Sequence, residues 1–392
     1  MPDGQIITIE TGKLAKQADG SAVVRMGDTM LLATVVSAQD AKENVDFLPL
    51  SVDYQEKFAA AGKIPGGFLK REGRLSDHEV LICRLVDRAL RPLFPDDYHA
   101  DTQVMISMIS YDKDVQPDAL AALAASAALS VSDIPFNGPI SEIRVVKHEG
   151  QFKLNPSKEV AEASELEIIV AADINNIMMV EGEMSEVSEA DMLEAMKIAH
   201  DAIKIQCQAQ IELAVEAGKT EKREYSHENN DELLYEKMKS DLYDKLYASV
   251  AKQTADKSIR SSDVKDIKTE WVDALPEDHE YDSFLISQYF KKIHKAAARN
   301  FVLDSSKRLD GREFNEIRQI WSEVDYLPSA HGSAVFTRGE TQSLTSCTLG
   351  TKLDEQMIDG ATEHGTNKFI LHYNFPGFST GEVRPNRGPG RR

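Results

Sequence analysis

Apolar and polar residues alternate along the opening of the chain, at positions 6–9, 21–26 and 29–36, with a Gly27-Asp28 pair between the last two runs. Alternation rich in β-branched side chains, broken by a glycine turn, predicts strands that follow one another as a meander. A further alternating run predicts a strand over 47–53. Ser76-Asp77-His78-Glu79 then has the form of a capping box, so a helix is expected to start there. Val80, Ile82, Leu85, Val86 and Leu90 give that helix an apolar face, Arg84, Arg88 and Arg91 share another side, and Pro92 and Pro95 end it. The arginine row has two readings, an extended basic surface or a set of surface ion pairs. Strands are predicted over 102–110, 140–147, 152–154, 166–172 and 176–181, with an alanine-rich helix reaching Val131 whose thin profile suits close packing in a core. Strands and helices mixed in this way predict an α+β layered domain.

From 189 to 217 the spacing of Met192, Ala195, Met196, Ala199 and Ile203 predicts a long helix, with Gly218 placed to cap it. The charged stretch 219–230 reads as a linker. Beyond it strand signals cease until about 298, and helices are predicted over 232–252, 261–275 and 281–302. The next segment repeats the first. Gly332-Ser-Ala-Val-Phe-Thr-Arg-Gly-Glu-Thr follows the pattern of Gly20-Ser-Ala-Val-Val-Arg-Met-Gly-Asp-Thr, and Phe369 to Phe375 resembles Phe47 to Asp53. Gly390-Arg391-Arg392 falls where the Gly67 to Arg71 stretch stands in the first copy. The chain is therefore expected to carry an internal duplication whose second copy starts near Ser306 and stops partway through.

Bulk properties narrow the chemistry. A length of 392 residues allows two or three domains, and a net charge of -20 with pI near 5.0 argues against general coating of duplex DNA or of membranes. Three widely spaced cysteines suggest neither a disulfide framework nor zinc, ten scattered histidines show no metal-binding spacing, and a reducing cytoplasm fits best. No signal peptide and no membrane-spanning apolar run stand out. Any site for a polyanion must be local.

One stretch fits that description. Residues 66–74, Gly-Gly-Phe-Leu-Lys-Arg-Glu-Gly-Arg, bring two glycines, the ring of Phe68 and the cations Lys70, Arg71 and Arg74 together ahead of the capped helix. A single-stranded nucleic acid needs forked or point cations for its phosphates and a flat apolar partner for an unpaired base. The alternative is a solvated basic loop.

The motifs Phe68-Leu-Lys-Arg-Glu-Gly-Arg74, Asp133-Ile-Pro-Phe-Asn-Gly-Pro139, Arg308-Leu-Asp-Gly-Arg312, His331-Gly-Ser-Ala-Val-Phe-Thr-Arg-Gly-Glu-Thr341, Asp354-Glu-Gln356 and His372-Tyr-Asn-Phe-Pro376 carry a family resemblance. The chain resembles the N-terminal part of the bacterial polynucleotide phosphorylases, and the likeness extends over essentially every segment. Where that family has two adjacent aromatics ahead of its basic run, this chain has Phe68-Leu69.

The resemblance implies an α+β fold of two ribonuclease PH-like cores, similar to domain 2 of ribosomal protein S5, separated by an all-α domain. The implied divisions are a first core over 1–222, a helical domain with its linker over 223–303, and the beginning of a second core over 304–392. It also implies a cytoplasmic homotrimeric ring that degrades single-stranded RNA from the 3′ end with inorganic phosphate as co-substrate. Nucleoside diphosphates are released, the reaction runs backwards as polymerisation, and RNA-degradation complex partners are expected, with no membrane and no DNA partner. By match to the family, Phe68, Lys70, Arg71 and Arg74 guide RNA, and Arg391 and Arg392 contact substrate or phosphate at the active site. The Mg2+ ligands, the catalytic aspartates and the catalytic lysine are expected beyond Arg392, so this chain alone is expected to be inactive. Two other readings stay open: a non-catalytic ring subunit that serves as an RNA-channel scaffold, and an unrelated small-molecule kinase or ribosomal-protein-like fold.

Overall fold

Alternating burial in the opening strands follows the sequence pattern closely. In the computed structural model, which describes residues 1–66 and 69–385, the first three strands are β1 (Ile7–Thr11), β2 (Gly20–Met26) and β3 (Thr29–Ser37). They pair antiparallel as the predicted meander, with Leu31, Ala33 and Val35 pointing into the core. β4 (Leu50–Glu56), α1 (Asp77–Leu90) and β5 (Thr102–Ser110) follow. The sheet order is β1-β2-β3-β5-β4, with β5 antiparallel to β3 and parallel to β4. β4 begins later than the sequence pattern predicts. Pro49 has no N–H to give a ladder and Phe47 is 60% exposed, so the strand starts only at Leu50.

α2 (Ala121–Ser130) packs against β2 and β3, and every residue from Ala121 to Leu129 is buried. A second sheet, in order β7-β6-β8-β9, consists of β6 (Ser141–His148), β7 (Gln151–Leu154), β8 (Leu166–Ala172) and β9 (Ile177–Met184). One of its faces, with Ile143, Val145, Ile168 and Val170, lies under the long helix α4 (Glu189–Glu216). Its other face gives Ile169, Ala171 and Met179 to the core shared with α1 and α2. The short helix α3 (Lys158–Glu162), between β7 and β8, was not expected, because five residues are too few to show a helical period.

The chain divides into two compact units, one formed by 1–227 with the described part of 355–392, the other by 228–354. In the second, α5 (Glu232–Ala251), α6 (Lys257–Asp273) and α7 (Ser283–Ser305) are capped by Asp231, Asp256 and Asp282. α6 starts ahead of Ser261 because Asp256 accepts hydrogen bonds from the N–H groups of Ser258 and Ile259. Leu234, Met238, Leu242 and Leu246 form one stripe of α5, packed with Ile286, Tyr289, Phe290 and Ile293 of α7. β10 (Ile320–Val324), β11 (Gly332–Arg338) and β12 (Thr341–Cys347) complete this unit as an antiparallel sheet.

The sequence repeat is also a structural one. Met26 pairs with Thr29 across the β2–β3 turn, and Arg338 with Thr341 across the β11–β12 turn. Each turn places a glycine in the left-handed region, Gly27 at φ 58° and Gly339 at φ 61°. The strand ahead of each hairpin adds in the same register, Ile7 opposite Met26 and Ile320 opposite Arg338. The likeness of 369–375 to 47–53 does not extend to structure: 369–375 forms no strand, whereas Leu50–Glu56 does. In the first copy that strand pairs in parallel with β5, supplied much later in the chain. A final hairpin, β13 (Gln356–Asp359) and β14 (His364–Asn367), belongs to the first unit. Among the described residues, no helix is long and apolar enough to cross a membrane.

Candidate nucleic-acid interface

The basic stretch leaves the sheet at the end of β4 and returns to it through α1. A single 3₁₀ turn, Phe58–Ala61, closes on Gly62, and the chain then runs through the loop to the Ser76 cap. The capping box forms as the sequence predicts: Ser76 Oγ accepts from Glu79 N–H at 3.1 Å, and Glu79 Oε2 accepts from Ser76 N–H at 2.6 Å. The second oxygen of Glu79 accepts from the N–H of Glu56 at 2.8 Å, which fastens the helix start to the last residue of β4.

Within the loop the one acid has a structural partner set. Glu72 Oε1 accepts from Phe58 N–H at 2.9 Å and Oε2 from Lys57 Nζ at 2.9 Å. Burial raises its pKa, but the Lys57 ammonium and the Phe58 N–H prevail and hold the carboxyl below its ordinary range. Lys70, at φ 52°, Arg71 and Arg74 are all exposed, and none has an ion-pair or hydrogen-bond partner among the described residues. Three free cations are therefore displayed on a loop whose only carboxylate is committed elsewhere. Phe68 and Gly67 lie outside the described residues, as do Arg391 and Arg392.

The arginine row of α1 divides. Arg88 bonds Glu181 at 3.0 Å and the carbonyl of Val180 at 3.1 Å, and Arg91 bonds Asp87 and the carbonyls of Leu48 and Leu50. These two fasten the helix to β9 and to the approach to β4. Of the row, Arg84 alone is exposed with no partner among the described residues.

Beneath the loop lies a polar cluster at the end of β4. Glu56, 7% exposed, accepts from Tyr54 OH at 2.9 Å and from Thr362 Oγ1 at 2.5 Å, and His78 Nε2 stands 3.5 Å from it. Burial works against both charges, yet mutual contact holds Glu56 below its ordinary range and His78 above its own. A second polar group is buried on β6. Arg144 pairs with Asp118 and, at 2.8 Å, with Glu167, while Glu142 is 2% exposed and one of its oxygens has no hydrogen-bond partner. Burial, with the Asp118 charge added, pushes the Glu142 carboxyl up to about 8 despite Arg144. Among the described residues, no group of three or more His, Cys, Asp or Glu side chains is arranged to hold a metal ion.

Sequence reading missed the parts of the site that depend on distant partners, Glu72 with Lys57 and Glu56 with Thr362. The signal for the first was present, since a lone acid inside a basic run needs a partner of its own.

Comparison with known proteins agrees with this architecture. Residues 4–135 and 316–392 match the 3′ exoribonuclease family, domain 1, so the same description fits twice, at the two places where the hairpin recurs. Residues 138–202 match domain 2 of that family, and residues 233–313 match the RNA binding domain of polyribonucleotide nucleotidyltransferase. A polyribonucleotide nucleotidyltransferase of Cytophaga hutchinsonii is 64% identical over 392 residues, covering 100% of this chain and 55% of the relative. One from Bacteroides fragilis is 60% identical over 391 residues, with 100% and 55% covered, and one from Amoebophilus asiaticus is 58% identical over 395 residues with the same shares. The chain spans about half the length of the curated relatives it matches.

Proposed function

The chain belongs to the 3′ exoribonuclease family, and from that footing we propose that it supplies the RNA-guiding part of a polyribonucleotide nucleotidyltransferase. In this reading the whole protein shortens single-stranded RNA from its 3′ end. Inorganic phosphate attacks the terminal phosphodiester, the bond to the departing 3′ oxygen breaks, and a nucleoside diphosphate leaves. The same balance run backwards polymerises.

The observation that carries the proposal is the set of three exposed cations, Lys70, Arg71 and Arg74, on a loop whose acid is engaged by Lys57 and Phe58. Charge-neutralising positions of this kind are what a phosphate backbone requires, and they act by position rather than by covalent chemistry. Phe68 would stack a base, and Arg391 and Arg392 would contact phosphate or substrate. Helices α5 to α7, which match a domain described as RNA binding, would add a second contact region. A homotrimeric ring in the cytoplasm, domain divisions at 222 and 303, a role in mRNA decay and RNA-degradation complex partners complete the reading. Magnesium belongs to it as the ion that would neutralise charge on the phosphodiester under attack. The described residues offer no cluster that fits such an ion.

A second reading, a ring subunit that only forms an RNA channel, draws support from the polar groups of the first core, where Arg144 and Asp118 are paired with each other and Glu142 is buried, leaving none of the three facing an open site.

The test is binding of a labelled, unstructured oligoribonucleotide, followed by anisotropy over a salt series, with this chain and with its K70A/R71A/R74A variant. Losing three phosphate contacts should weaken binding and make the log-log salt slope shallower by about 2, at about 0.7 per contact on single strands. Equal affinity and slope would return the loop to a solvated surface. Release of nucleoside diphosphates, measured on any longer protein that carries this sequence, tests the reaction itself.

A further inference from the structure

The tip of the β13–β14 hairpin lies against both sides of the point where the basic loop leaves the sheet, although some three hundred positions separate the two in sequence. Thr362 donates to Glu56 Oε2 at 2.5 Å, and Lys63 Nζ donates to the carbonyl of Ala361 at 2.8 Å. Ala361 itself is 3% exposed and packs in the first core. Gly66, the first residue of the basic stretch, is in contact with the same tip: a methyl group placed on it would come within 1.8 Å of Asp359 Oδ2, and its three nearest atoms all belong to Asp359. Lys158 on α3 closes the arrangement by binding Glu363 at 2.6 Å.

These contacts reach the loop at its base and leave its cations alone. Glu56 receives Thr362 on its carboxylate and gives its N–H to Glu79, the residue that caps α1, so the same few atoms hold the beginning and the end of the loop. A loop fixed at both ends loses less entropy when its cations engage phosphates together, which is the gain of preorganisation. We propose that the hairpin tip is a positioning element for single-stranded RNA, with Thr362 as its positioning residue, acting through the base of the loop and touching no nucleotide. The proposal rests on the reading of Lys70, Arg71 and Arg74 as phosphate contacts.

The test uses the oligoribonucleotide binding assay on this chain. Thr362→Val keeps the side-chain shape and removes the hydroxyl, while Thr362→Ser keeps the hydroxyl. The first should weaken binding by about three- to tenfold and the second should restore it. Gly66→Ala forces the Asp359 carboxylate to swing aside and should weaken binding by less than Thr362→Val does. Combined with Asp359→Ala, the same alanine would meet nothing closer than the Cβ of residue 359, at 3.9 Å, an ordinary contact. The double variant should therefore bind within about twofold of Asp359→Ala alone, a coupling expected of side chains in contact. The glycine cycle decides the matter even if Thr362→Val fails to fold. Parent-like binding by a folded Thr362→Val chain, or loss in the double variant as large as in Gly66→Ala, overturns the positioning role when K70A/R71A/R74A is weakened. If K70A/R71A/R74A also binds like the parent, the RNA reading of the loop fails and the hairpin proposal falls with it.

Discussion

Glu72 adjoins Arg71 in sequence, yet its carboxylate is bound to Lys57 Nζ at 2.9 Å and to the N–H next to it in the chain, that of Phe58. The acid thereby ties the middle of the basic loop to the 3₁₀ turn below. Glu72→Gln retains an acceptor for Phe58 N–H and loses the ion pair, and Glu72→Ala loses both. RNA affinity should fall in that order, by about twofold and about fivefold, because the loop must be reordered on binding. Because the folded carboxyl is held below its ordinary range, the stability it gives is present above about pH 4.5 and is lost as the pH falls through the folded value. Binding titrations, with thermal melts at pH 7 and in acid, check both statements.

Glu142 offers an opposite case. Its carboxyl is pushed up from 4.5 to about 8, so the native state prefers it neutral. The stability tied to that proton is fully present below about pH 4.5 and is lost as the pH rises toward 8. Glu142→Gln cannot ionise, and it should raise stability at pH 7 by on the order of 1–3 kcal/mol and flatten the dependence between those limits. Denaturant unfolding at several pH values measures the difference, and an unchanged pH profile would show that Glu142 is ionised at no cost.

His78 carries the complementary sign. Burial lowers its pKa, but the carboxylates of Glu56, Asp118 and Glu363 raise it above its ordinary range overall. Its contribution is therefore complete below about pH 6.5 and disappears as the pH climbs through the folded value, while that of Glu56 is present above about pH 4.5. The two coincide between those limits. His78→Gln should lower the melting temperature by a few degrees at about pH 5.5 and by less at pH 8.

The three thiols should react unequally. Cys347 is exposed on β12, whereas Cys83 lies buried under β4 and Cys207 lies under the second sheet with its thiol pushed up to about 12 by burial. A chromogenic thiol reagent at pH 8 should titrate one group quickly in the native chain and all three in denaturant. Fast labelling of two or more native thiols would contradict the packing described for α1 or α4.

Legibility in the sequence followed the range of the interaction concerned. The capping box, the alanine helix, the long α4 and the repeated hairpin each depend on neighbours within a few turns or strands, and the pattern of residues reveals them. Parallel pairing of β4 with β5 was not legible, because nothing local distinguishes a strand that will wait for a partner beyond α1. The same holds at the candidate site. The cations of the loop are visible in sequence, but what holds them is not, since Thr362 in the β13–β14 turn and Glu56 at the end of β4 meet only in three dimensions. Arg88 and Arg91 look like Arg84 on a helical wheel, and only the tertiary structure distinguishes anchors from free charge.

The duplicated hairpin has a kinetic consequence. β1 could in principle add to β11, whose edge residues pair with β10 in the register that β2 uses with β1. A chain that carries two near-copies of one pairing surface contains its own competitor. Loop closure separates the two outcomes, since β1 reaches β2 across residues 12–19 but would have to wait for most of the chain to reach β11, and each doubling of the loop costs about 0.6 kcal/mol more. During synthesis from the N-terminus the first sheet is complete before the second copy exists. Refolding from denaturant removes that head start, so the mispaired species should be richer after dilution refolding than after translation.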